Sequence, residues 1–92
     1  MSMIQMNKFG KTLTDREDGK KVFNTIILSN QKPYILNFEG VISLGSSFGD
    51  EVVIKLAQLQ DNKIQLININ DGIRSCIKRV IEGTSVKVEF EK

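Results

Sequence analysis

Short aliphatic runs alternate with helix-forming stretches along the whole chain, and few folds accommodate that order. Residues 34–38, 63–69 and 85–90 are runs rich in Ile, Leu, Val and Phe, of strand length. Between them, apolar residues recur at three- and four-residue spacing. Ile73, Cys76, Ile77, Val80 and Ile81 follow an i, i+3, i+4, i+7, i+8 series, the cleanest amphipathic stripe in the sequence. Asn70-Asp71-Gly72 opens that helix and Gly83 is placed to end it. Phe48, Val52, Leu56 and Leu59 predict a second helix that starts at Ser47. Val22, Phe23, Ile26 and Ile27 predict the buried stripe of another, which runs to about Ser29. Thr14 and Glu17 stand ahead of it at capping-box spacing.

The remaining segments complete the order. Residues 3–9 alternate weakly, with Ile4 and Met6 on one side, and read as an edge strand. The run from Tyr34 to Phe38 is mostly apolar, which predicts a central strand with cover on both faces. Asp61-Asn62 is a turn. In residues 85–90, Val86, Val88 and Phe90 share a face. The sequence therefore reads β-α-β-α-β-α-β. Alternation of this kind predicts an α/β domain with right-handed crossover helices. The expected architecture is a mixed sheet of about four strands with three helices.

Size and charge narrow the function classes. At 92 residues the chain makes one domain, spanning 1–92, with a modest core. The net charge of +2, with both signs interspersed, argues against nucleic acid as a partner. Lys20-Lys21 and Lys78-Arg79 read as solvated helix faces. There is no histidine and one cysteine, which excludes a Ser-His-Asp triad, a Cys/His zinc site and an internal disulfide. Cys76 lies on the apolar stripe of its helix and reads as a small core residue. No run has the length to span a bilayer or the flanks of a signal peptide, so a cytoplasmic protein without membrane contact is expected. No cofactor or metal site is expected, and no complete catalytic set is visible.

The segment with most chemical content is Leu36-Asn37-Phe38-Glu39-Gly40-Val41, followed by Ser46-Ser47-Phe48-Gly49-Asp50-Glu51. It reads as a strand, a glycine-containing connection and a serine pair that opens a helix. Ser47 and Asp50 have capping-box spacing, so Ser47 reads as an N-cap. The same position suits a phosphate, because a helix N-terminus presents unpaired amides and the positive end of a dipole. Phosphate on Ser46 or Ser47 would add about two negative charges beside Asp50 and Glu51. As neighbours on a helix, those two carboxylates diverge and read as capping or dipole-compensating groups. Arg16 and Arg74 read as solvated or ion-paired.

These residues resemble the STAS domain (sulphate transporter and anti-sigma antagonist). The resemblance is nearest to the STAS-like group that often accompanies histidine-kinase-like ATPases in bacteria. That group has an apolar–Asp–Phe–x–Gly–Val strand and a Ser-Phe-small-Asp-Glu helix start. Gly10, Leu13 and Arg16 upstream, and the segments from Ile64 to Asn68 and Ile73 to Ile81 downstream, fit the same layout. The resemblance implies a STAS-like sheet and a role in protein–protein regulation. In anti-sigma antagonists an Asp-Ser-Ser-Gly motif at this helix start carries a phosphorylatable serine, which aligns with Ser46. Gly45 stands where those proteins have Asp, Phe48 where they have Gly, and Asn37 where the nearer group has Asp.

The expectation from sequence is a non-enzymatic regulatory module resembling an anti-sigma factor antagonist. Ser46 and Ser47 are its candidate phosphorylation sites. Its partner surface comprises Ser46, Ser47, Phe48, Asp50, Glu51 and Lys55, with Gln58 on the same helix. The favoured partner is a histidine-kinase-like ATPase. The alternatives are a phosphorylation-independent adaptor, and a small-ligand or nucleotide sensor that uses the turn around Gly45. Binding of nucleic acid through Lys20, Lys21, Lys78 and Arg79 is a further alternative.

Overall fold

Each connection between neighbouring strands of the main sheet contains a helix, and the strands are parallel for that reason. In the computed structural model, which describes residues 2–91, β1 (Ser2–Gln5), β3 (Tyr34–Asn37), β5 (Lys63–Ile67) and β6 (Lys87–Glu91) form this sheet in the order β1-β3-β5-β6. The register is continuous, with Ile4 beside Leu36, Leu36 beside Leu66, and Leu66 beside Phe90. The sheet is parallel throughout rather than mixed. A second, two-stranded parallel ladder pairs β2 (Thr12–Leu13) with β4 (Ser43–Leu44).

Three helices cross between the strands: α1 (Arg16–Ser29), α2 (46–58) and α3 (Asp71–Ile81). Every crossover steps one strand in the same direction, so crossovers of one hand stack their helices on one face. The contacts agree, with α2 lodged between α1 and α3. One core lies between helices and sheet. Ile4, Leu36, Ile64 and Leu66 meet Val22, Ile26, Phe48, Val52, Leu56, Ile73 and Ile77 there, all buried. The opposite face of the sheet carries Met3, Gln5, Lys63, Gln65, Lys87, Glu89 and Glu91, and no described helix covers it.

Several local expectations shift by a residue or a turn. The first strand ends at Gln5, and Met6–Phe9 forms a 3₁₀ turn that still buries Met6. The cap of α1 is Asp15, whose carboxylate accepts from the Asp18 amide at 3.0 Å, rather than Thr14. Ile27 and Leu59 are 37% and 41% exposed, so neither belongs to its helix's buried stripe. Asn70 caps α3 by accepting from the Ile73 amide at 2.7 Å. Gly83, at φ +79°, follows the end of that helix as its spacing predicts. Among the described residues no helix is long and apolar enough to cross a membrane.

Candidate functional site

The small β2–β4 ladder sets two helix starts side by side. Leu13 pairs with Leu44, the chain leaves β2 into α1, and it leaves β4 into α2. The Gly45 amide donates to the Leu13 carbonyl at 2.8 Å. Gly45 is also the N-cap of α2, in extended backbone. A Cβ there would lie 3.0 Å from the Thr14 Cα, so only glycine fits without displacing the backbone just after β2. The cap is thus fixed by a tertiary contact.

This geometry removes the capping role from Ser47. The helix begins at Ser46, one residue earlier than its spacing predicts. Ser46 is exposed and Ser47 half-buried, and among the described residues neither hydroxyl makes a hydrogen bond. Both hydroxyls therefore stand in the first turn of α2 without a structural task. The Gly45 amide, committed to Leu13, is withdrawn from any anion-binding turn.

The rest of the predicted surface divides. Phe48 is 0% exposed and belongs to the core. Glu51 is 5% exposed and is also withdrawn from contact with a partner. Asp50, Lys55 and Gln58 remain exposed. The accessible surface near the helix start is therefore the exposed Ser46 and Asp50 with the half-buried Ser47, and Lys55 and Gln58 lie further along. Ile42, 65% exposed in the loop before β4, adds an apolar side chain that sequence reasoning missed. Its carbonyl accepts from the Asn70 side chain at 2.9 Å, which ties this loop to the start of α3.

Glu51 is neither a cap nor a dipole-compensating group. Its carboxylate accepts from Arg16 Nη1 at 2.7 Å and from Lys55 Nζ at 2.6 Å. Arg16 Nη2 reaches the exposed Asp50 at 3.5 Å. Lys55 lies over the Phe23 ring, 6.0 Å from its centroid. The Lys55 ammonium, and then the Arg16 guanidinium, hold the Glu51 carboxyl below the ordinary glutamate value. Glu51 in turn raises the pKa of Arg16. Over Asp50–Ile54 the helix widens to i→i+5 bonding, a local expansion of a kind often found at functional sites.

This network has a titration signature. A carboxyl whose folded pKa is depressed adds stability above its unfolded value and loses it as pH falls through the folded value. Glu51→Gln is therefore expected to be less stable than the unmodified protein at neutral pH. The difference should narrow as pH drops below the ordinary glutamate range, because the unmodified protein then loses the same charge. Urea midpoints of both proteins across an acid pH series check this. A difference that stays constant with pH would mean that the carboxylate charge contributes nothing.

A second buried polar group joins the carboxyl ends of three strands. Asn37 is buried and donates to the Gln5 side chain at 2.9 Å. Its carbonyl oxygen accepts from the Asn68 side chain and the Glu39 amide, both at 3.0 Å. Its carbonyl oxygen is doubly bonded to neighbours and its amide group reaches the next strand, so Asn37 is a tie between strands. Cys76 is buried, which pushes its thiol pKa up and keeps it protonated. Lys20 pairs with Glu17 at 3.2 Å. The basic pairs 20–21 and 78–79 lie on α1 and α3, with α2 between them. No protein-family model matches the chain, and no curated protein or solved structure does either.

Proposed function

We propose that this domain is a non-enzymatic regulatory module that binds another protein through the start of α2, as an anti-sigma antagonist does. The observation that carries the reading is the pair of hydroxyls at Ser46 and Ser47. They occupy the first turn of a helix, reach solvent, and have no capping work that phosphorylation would disrupt. Phosphate on Ser46 would face the positive end of the α2 dipole, so the domain would tolerate it. A partner surface would not. It would meet about two added negative charges beside the exposed Asp50 carboxylate. Ile42 supplies an apolar contact on the approach to the same helix start.

The favoured partner is a histidine-kinase-like ATPase that binds the unmodified helix start and releases the domain by phosphorylating it. Arg16 supports this reading. Its contact with Asp50 is long and exposed, so that arm of the guanidinium is free to exchange Asp50 for a phosphate. Its short bond to Glu51 would keep it anchored meanwhile.

Ser46→Asp is expected to weaken binding to the partner protein about tenfold or more, because a like charge placed in a contact costs several kcal/mol. Ser47→Asp should have a smaller effect, since that side chain is half-buried. Titration of each variant against the partner by calorimetry measures both. Unchanged affinity in the two variants would contradict control by charge and leave a phosphorylation-independent adaptor.

A further inference from the structure

The outer edge of β6 carries charges in a fixed order, Lys87, Glu89 and Glu91. β6 is the last strand of the sheet, and only β5 pairs with it. The Lys87 amide donates to the Asn62 carbonyl, and the Glu91 carbonyl accepts from the Asn68 amide. Main-chain groups alternate in direction along a strand, so Lys87, Glu89 and Glu91 bond to β5. Val88 and Phe90 then point their N–H and C=O groups to the free edge. Lys87, Glu89 and Glu91 carry their side chains on the uncovered face of the sheet, and all three are exposed.

Among the described residues none of these three charges makes an ion pair. Lys87 stands directly beside Lys63 across the β5–β6 ladder, a like-charge pair that disfavours the register. Lys63 makes no ion pair among the described residues either.

We propose that β6 pairs antiparallel with β6 of a second copy, about a two-fold axis at Val88. The free-edge groups permit only registers in which Val88 and Phe90 face residues of the same parity. Setting Val88 opposite Phe90 brings Lys87 against Glu91 twice but sets Glu89 against Glu89 on the axis between them. Setting Phe90 opposite Phe90 brings Glu89 against Glu91. Setting Val86 opposite Val88 brings Lys87 against Lys87. Setting Val88 opposite Val88 brings Lys87 against Glu89 twice, with no like-charge contact between the strands. In that register Phe90 packs beside Val86 on the helix side. Each Glu89 also comes next to the other copy's Lys63–Lys87 pair and relieves its repulsion. The two sheets become one, with all helices on the same side and the uncovered faces continuous. β1, the other edge, reads Ser-Met-Ile-Gln and carries no charge that would select a register.

Sedimentation equilibrium from micromolar to millimolar protein, at low salt, tests this. The unmodified chain should dimerise with rising concentration. In hydrogen exchange, the Val88 and Phe90 amides should gain protection as it does, while the Lys87 and Glu89 amides, already bonded to β5, should not. Lys87→Glu and Glu89→Lys should each weaken the dimer about tenfold or more, because each turns both cross-strand pairs repulsive. An equimolar mixture of the two variants should associate again, as heterodimers, because every pair across the axis is then of opposite sign. Alternating charge on an edge strand otherwise serves to keep copies apart. A chain that stays monomeric throughout would overturn the proposal in favour of that role. Association that both reversals leave unchanged would overturn it in favour of another surface.

Discussion

Phe48→Ala is expected to destabilise the domain by about 3–5 kcal/mol. A chain of 92 residues has a total stability of only about 5–14 kcal/mol, so the loss is a large share of the whole. Phe48 is fully buried in the first turn of α2, where the helix meets both α1 and α3. Its ring fills the space from which the helix start is hung. Removing it leaves a cavity lined by atoms of three helices, and a core of this size has little with which to refill it. The neighbouring substitution Ser47→Ala is the control. A capping serine would cost about 1 kcal/mol on such a change. Ser47 caps nothing, so the expected change is within about 0.5 kcal/mol. Urea unfolding of both variants gives the comparison. A loss at Ser47 as large as that of a capping residue would contradict the assignment of the cap to Gly45.

Gly19→Leu is expected to cost about 2–3 kcal/mol, although leucine is the better helix former. Gly19 lies in the second turn of α1 and is buried against α2. A Cβ there would lie 3.0 Å from the Glu51 Cβ and 3.3 Å from the Phe48 Cα. The second of these is a main-chain atom, which cannot rotate away. The larger side chain must wedge the two helices apart, and that separation draws Arg16 from Glu51. The variant should therefore lose stability and also lose part of the acid dependence that Glu51 confers. A stable variant with an unchanged pH profile would mean that α1 and α2 pack less tightly than these distances imply.

The elements that read well from sequence are those in which several local signals agree. In α3 the cap at Asn70, the stripe from Ile73 to Val80 and the glycine at 83 all point to one helix. In β3 the continuous apolar run identified a central strand, and all its residues are buried, although the described helices cover one face of it and not both as expected. The elements that did not read well depend on contacts far along the chain. A two-residue ladder such as β2–β4 is too short to have a period. Ile4 and Met6 are buried together in a strand followed by a 3₁₀ turn, as they would be in one longer strand. Thr14 and Asp15 are adjacent capping residues, and local spacing favoured the wrong one. A mixed sheet was expected although each crossover contains a helix, which is the arrangement that makes neighbours parallel.

The candidate site shows the same division. The helix start at residues 46–51 was legible, because a serine pair between a glycine and an acidic pair marks a boundary. Its inner arrangement was not. Gly45 is the cap because Thr14, in the connection from β2 to α1, packs against it. Glu51 is buried because Gly19 leaves room beside it and Arg16, 35 residues away, neutralises it. Phe48 enters the partner surface through the motif that carries the resemblance, whereas its place in the apolar stripe with Val52 and Leu56 points it inward, and there it is fully buried. What remains accessible, the exposed Ser46 and Asp50 with the half-buried Ser47, is a smaller patch than the six residues suggest, and Lys55, though exposed, is bonded to Glu51.

The central claim is that a phosphoryl group at this helix start controls binding to an ATPase. The most direct measurement is affinity capture from the native cell, with and without ATP, combined with the intact mass and modification map of the captured bait. The account predicts an ATPase bound to unmodified bait without ATP. With ATP, it predicts release together with one phosphate on Ser46 or Ser47. A partner retained equally in both conditions, with unmodified bait throughout, would contradict it.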